Sequence, residues 1–288
     1  MGSIIRAEWA RSIRTWRWWL AVATALLLLL FTAVQYAQPW YHDPTPRAVN
    51  FFSVTVEAFG AWLTALWPVL VPVVAALPAG DSLAVDRQRG LDALLITRVG
   101  WGRYLWGKLV GAVLMGGLAI AVAVGVAEGL FLLLFPRALP KFLGWVVNPA
   151  LPYREKISGF FADIYATQFH VHLFWGAPGV YVVLVVAGAL ASALALAALA
   201  TTSAVWVRRP LLTLAVPVIL FLVGDVVTLA LGNRYLVPSV YAGAYLSWHP
   251  FIGPWTVLGL YWAVPLAASA AIMGWMMRWH REWPRSVH

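Results

Sequence analysis

Six apolar runs of about twenty residues recur along this chain, and about twenty residues is what a helix needs to cross the hydrocarbon core of a bilayer. They fall at roughly 18–37, 57–79, 109–135, 177–207, 211–232 and 255–279. Inside a bilayer each backbone amide must be satisfied by the chain itself, so a spanning segment is a helix or part of a closed barrel. Continuous apolar runs of this length specify the helix. The charge balance agrees: 62% of the 288 residues are hydrophobic and 11% are charged. A soluble domain sits nearer 45–50% apolar and about 25% charged. The expected fold is an all-α integral membrane protein forming a single transmembrane domain over residues 1–288.

The placement of cations orients it. With six spans both termini share a side, and 14 of the 20 Lys and Arg residues fall there, from Arg6 through Arg285. Basic residues near span ends are retained in the cytoplasm. Both termini and the polar interval 81–108 are therefore expected to be cytoplasmic, in a cell membrane. The net charge of +9 arises from these flanks and does not point to nucleic acid. Cysteine is absent, which excludes a disulfide framework or a thiolate metal site. The first apolar run lacks a small-residue cleavage site, so no cleavable signal peptide is expected.

Residues 1–17 carry a narrow stripe, Ile5, Trp9, Ile13 and Trp16, continued by Leu20, with Arg6, Glu8, Arg11, Arg14 and Arg17 around the rest. That pattern predicts an amphipathic helix in the interface, its arginines toward lipid headgroups. The second run contains Pro68, Pro72 and Pro78, which predicts a bent or broken helix. The fourth is rich in Ala, Gly, Ser and Thr, suited to close helix packing. Residues 136–176 form a long outer loop with a short amphipathic helix near 157–168. Residues 233–254, too apolar for a free loop and too interrupted for a span, predict a re-entrant hairpin before the last span.

Three acids fall in or at the spans, Glu57, Glu128 and Asp225. Intramembrane carboxylates are costly and usually face a bundle interior or a water-filled path. Two readings stay open for them: lining a pathway, or being satisfied by a neighbouring helix or capping a broken one. His170 and His172 have no third ligand in view, so no metal is expected. Residues 102–109, GRYLWGKL, approach a phosphate-binding loop but lack the closing Ser or Thr that holds magnesium, and precede a spanning helix. No hydrolytic or metalloprotease motif is present, and the chain is not expected to be an enzyme.

The remaining feature is the interval 81–108 itself, DSLAVDRQRGLDALLITRVGWGRYLWGK. Its charges alternate in sign and its leucines recur at helical spacing. Asp86-Arg87-Gln88-Arg89-Gly90, then Leu91-Asp92-Ala93-Leu94-Leu95, Thr97 and Gly107-Lys108 stand in an order that resembles the ABC-2 type permeases. Those are the membrane subunits of ATP-driven exporters. The chain departs from that pattern in three places: Asp and Gln where Glu is common, one residue fewer after Gly90, and Arg98 where Pro is usual.

The resemblance implies a coupling loop at 80–103 in which Asp86, Arg87, Arg89, Gly90, Leu91, Asp92, Leu94 and Leu95 meet a separate ATPase subunit. Leu91, Leu94 and Leu95 would enter an apolar groove, with Arg87, Arg89 and Asp92 at its rim. It also implies a second permease copy or paralogue, contact with membrane lipid, and no cofactor in this chain, ATP and magnesium belonging to the partner. Two other readings compete: an ion-coupled secondary transporter using Glu128 and Asp225, and a membrane anchor that moves nothing.

Overall fold

The structure is a computed structural model that describes residues 2–37, 54, 55, 58, 66–135, 177–231 and 254–282. Among these residues the protein is entirely helical. In chain order the helices are α1 (Gly2–Arg14), α2 (Trp16–Ala37), α3 (Leu66–Ala76), α4 (Ser82–Gln88) and α5 (Leu91–Val99). They continue as α6 (Trp101–Leu134), α7 (Pro178–Ser203), α8 (Pro210–Ala230) and α9 (Pro254–Glu282). Four segments are long and apolar enough to cross a membrane: Trp16–Gln35, Trp101–Leu134, Val182–Ser203 and Pro210–Thr228. The outer loop 136–176, Glu57 and nearly all of the expected hairpin lie outside the described residues.

The bundle is built around α6 and α7, which pack on one another; α2 covers α6, while α3, α8 and α9 cover α7. Small residues make that approach possible. A Cβ on Gly116 would fall 2.8 Å from the Cβ of Ala197 and 2.5 Å from the Ala75 carbonyl oxygen. Ala193, Ala197 and Ala200 are buried along the same face of α7. Without a hydrophobic drive between helices in lipid, such close van der Waals contact is what holds spans together. α8 is the outlier, with 11% of its spanning window buried against 56% for α6.

One departure from the sequence reading, and one feature that follows it, bear on the site. The third span was expected to start near residue 109, but α6 begins at Trp101, so the last part of the polar interval, 101–108, already belongs to that helix. At about 1.5 Å per residue this 34-residue helix is far longer than the hydrocarbon core is thick. The proline-rich second span ends as expected in a break. α3 holds Pro72 within it and stops at Ala76, and a turn closes through the Gly80 amide donating to the Ala76 carbonyl at 2.7 Å.

Candidate functional site

The interval between α3 and α6 folds as two short helices. Arg89 and Gly90 end α4 and start α5, and Gly90 takes the left-handed backbone conformation at φ 65° that favours glycine. Gly100, at φ 81°, makes the second corner before α6. Asp86–Leu95 is therefore divided between two elements with different surroundings. α4 is an inside helix, with Ser82, Leu83, Ala84 and Asp86 buried. α5 has no buried residue.

Asp86 sits at the centre of an ionic cluster. Its side chain is 2% exposed, and Arg11 donates to its Oδ1 at 2.8 Å. Lys108 and the Tyr104 hydroxyl both donate to Oδ2, the latter at 3.1 Å. Lys108, 1% exposed, also donates to Glu8 Oε1 at 2.5 Å, while Arg11 reaches Glu8 Oε2 at 3.1 Å. Two cations thus serve two carboxylates contributed by α1, α4 and α6. Burial by itself would raise the Asp86 carboxyl, but Lys108 and then Arg11 outweigh it and hold it below the ordinary carboxylate value. Burial likewise disfavours the Arg11 cation, and Glu8 with Asp86 more than restores it.

This geometry changes the expected role of α1. Ile5, Trp9, Ile13 and Trp16 do leave an apolar stripe that is partly or fully exposed. A second stripe one residue earlier, Ile4, Glu8 and Ser12, turns inward against α6. A Cβ on Gly107 would lie 2.7 Å from Ile4 Cγ2, and one on Gly111 3.0 Å from Glu8 Cβ. The two glycines, four residues apart, thus open a seat on α6 for two α1 residues at the same spacing. A second pair, Arg17 with Asp81 at 2.5 Å, ties the start of α2 to the turn before α4.

Arg87, next to Asp86, points elsewhere. Its guanidinium donates to the carbonyls of Ala204 at 2.8 Å and Val205 at 2.7 Å, just past the C-terminal end of α7. Those are the groups a helix end leaves unsatisfied, and a cation is favoured there. Burial pulls its pKa down, Asp92 and Tyr104 oppose this, and Arg208 adds to the lowering. Gln88 reaches the Arg208 carbonyl at 3.4 Å.

The other residues singled out from the interval lie outward. Arg89 and Gly90 are exposed, Asp92 half-buried, and Leu91 and Leu94 are 39% and 60% exposed. Leu95, with Ile96 and Val99, leans against a small core of Ile4, Leu83, Ala84, Tyr104 and Leu105. Of the span acids, Glu128 near the end of α6 accepts from the Thr55 hydroxyl at 2.7 Å. Its Oε1 is buried with no partner among the described residues. Asp225 is half-buried on α8.

In the sequence Lys108 stands only as the Lys of Gly107-Lys108, and Glu8 only among the polar residues around the α1 stripe. Two signals pointed to their pairing. Glu8 is the only acid in the first 42 residues, set among four arginines, and Lys108 lies between two glycines of a close-packing pair. Among the described residues no group of three potential ligands could hold a metal ion.

Fold and site together define a polytopic helical membrane protein with a small helix presented between two of its spans. Two curated relatives are named as transporter permeases. The chain is 33% identical to the probable ABC transporter permease protein NosY of Pseudomonas aeruginosa over 136 residues, covering 47% of this chain and 46% of that protein. It is also 33% identical to its namesake from Stutzerimonas stutzeri over 159 residues, covering 50% and 55%. The chain spans about half the length of the curated relatives it matches. No family model matches it.

Proposed function

We propose that this chain is the membrane permease subunit of an ABC exporter of the ABC-2 type. It lines the translocation path with six spans and takes its energy from a separate ATPase. The observation that carries this reading is α5: an exposed helix with Leu91 and Leu94 outward, held at the mouth of a bundle whose relatives are named as permeases. Exposed leucines flanked by Arg89, Asp92 and Arg98 suit an apolar groove with a charged rim, the leucines supplying affinity and the charges orientation.

In this reading α2, α3, α6, α7, α8 and α9 correspond to the six spans, and the segment before α9 is the outer hairpin. The chain binds no nucleotide itself. ATP and magnesium belong to the partner, and two such complexes associate through identical or related permeases with both termini in the cytoplasm. Glu57, Glu128 and Asp225 are the acids that would border the path. A conformational change driven from the ATPase can shift the bundle only by the difference in its affinity for the two states.

Purification of the chain from its own membrane tests this. A stoichiometric partner with a Walker motif, and ATP hydrolysis that rises on reconstitution with this chain, is the expected result. A chain that purifies alone and leaves ATP hydrolysis unaffected overturns the reading.

A further inference from the structure

We infer that Asp86 and Arg87 are positioning residues that make α4 a fixed post, so that force received by α5 enters the spans through those two side chains. The inference rests on the permease reading and adds to it a route. Adjacent residues on a short helix diverge by about 100°, and here they hold different parts of the bundle. Asp86 holds α1 and α6 through Arg11, Lys108 and Tyr104. Arg87 holds the C-terminal end of α7 through the carbonyls of Ala204 and Val205.

α6 and α7 are the two helices at the centre of the bundle, so α4 is tied to both halves of the core at one level. The contrast with α5 is what gives the arrangement a direction. α5 is bounded by Gly90 and Gly100, both at positive φ, and nothing lies within 4 Å of where a Cβ would be on either. It buries no residue. α5 rests on α4 and, through Leu95, Ile96 and Val99, on the core it shares with Tyr104 and Leu105 of α6, so a load that turns it about these two corners bears on α4, and α4 cannot turn without moving α6 and α7. Without the Asp86 and Arg87 bonds the same load would rotate α4 and dissipate there.

The chain contains no cysteine, which lets spin labels be placed at will. In the purified complex with its ATPase, one label pair joins Ala93→Cys, an exposed position on α5 apart from its leucines, to a site on the ATPase. A second pair joins Leu133→Cys and Leu231→Cys, exposed positions at the far ends of α6 and α8. Distances are read without nucleotide and after trapping with ADP and vanadate. In the otherwise native complex both pairs should shift.

In Asp86→Asn and in Arg87→Met the α5 pair should still shift and ATP hydrolysis persist, while the shift at the span ends is lost; Arg87→Lys, which can still donate to the carbonyls, should restore it. A role in folding alone would not separate the two pairs. Span ends that shift in both variants as they do in the native complex overturn the inference. Should Asp86→Asn fail to assemble, Arg87→Met and its Lys counterpart decide the matter. Failure of the α5 pair to shift in the native complex would instead count against the permease reading.

Discussion

Lys108 Nζ stands 2.5 Å from Glu8 Oε1, joining a span to a helix a hundred residues earlier in the chain. The same ammonium also holds Asp86. One buried cation therefore serves two buried carboxylates, and its loss is not equivalent to the loss of either acid. Lys108→Met should leave both carboxylates in a poorly solvated site with Arg11 alone to answer them. Removing one partner of a buried ion pair costs about 3–5 kcal/mol. Glu8→Gln leaves Lys108 paired with Asp86 and keeps a hydrogen-bonding group, for a cost of about 1–3 kcal/mol. Thermal unfolding in detergent should rank Lys108→Met well below Glu8→Gln, and a reversed order would refute the shared-cation geometry.

The seat of α1 on α6 gives a second test. A methyl group on Gly107 would fall 2.7 Å from Ile4, closer than side chains tolerate, so α1 has to shift. Overpacking of this kind costs about 1–3 kcal/mol. Gly107→Ala should destabilise the protein, and adding Ile4→Ala should recover part of the loss, because residues in contact are energetically coupled. A double-mutant cycle by thermal unfolding measures this directly; strict additivity would mean that the two residues do not meet.

Acid should weaken the cluster through Asp86. Its folded-state carboxyl lies below the ordinary value of 3.8, so the stability it contributes is fully present above that value. It is lost as the pH falls from there through the lowered folded value. Asp86→Asn should flatten that acid limb relative to the native chain when melting temperature is followed downward from neutral pH. An unchanged limb in the variant would place the acid sensitivity elsewhere.

The helices were legible because runs of twenty apolar residues have few ways to be arranged in lipid. The break that follows Pro72 and contains Pro78, and the small-residue packing of α7, followed from local chemistry in the same way. The site was only half legible. Charge alternation and leucine spacing over 81–108 suggest a surface helix, and α5 is exposed, but in sequence Asp86 and Arg87 look no different from Arg89 and Asp92. What separates them is long-range: Asp86 finds α1 and α6, and Arg87 finds the end of α7 more than a hundred residues away. Periodicity reports which face a residue occupies on its own helix, not which distant helix covers that face. The amphipathic stripe of α1 illustrates the same point, since Glu8 borders the arginines on the wheel yet packs over Gly111.

Separating those two kinds of charge changes how the α5 surface should be probed. A double reversal at Arg87 and Arg89 would strip the α7 end of its cation along with any rim contact, and so could not assign a role to either. Leu94→Glu is the cleaner probe, because the side chain is 60% exposed and contributes little to the fold. Surface changes away from special features alter stability by no more than about 0.5 kcal/mol. The variant should insert and melt like the native protein while losing the co-purifying ATPase, with Arg89→Glu giving a milder loss that shrinks as rising ionic strength screens the rim charges. Retention of the ATPase at native stoichiometry in Leu94→Glu would place its docking surface away from α5.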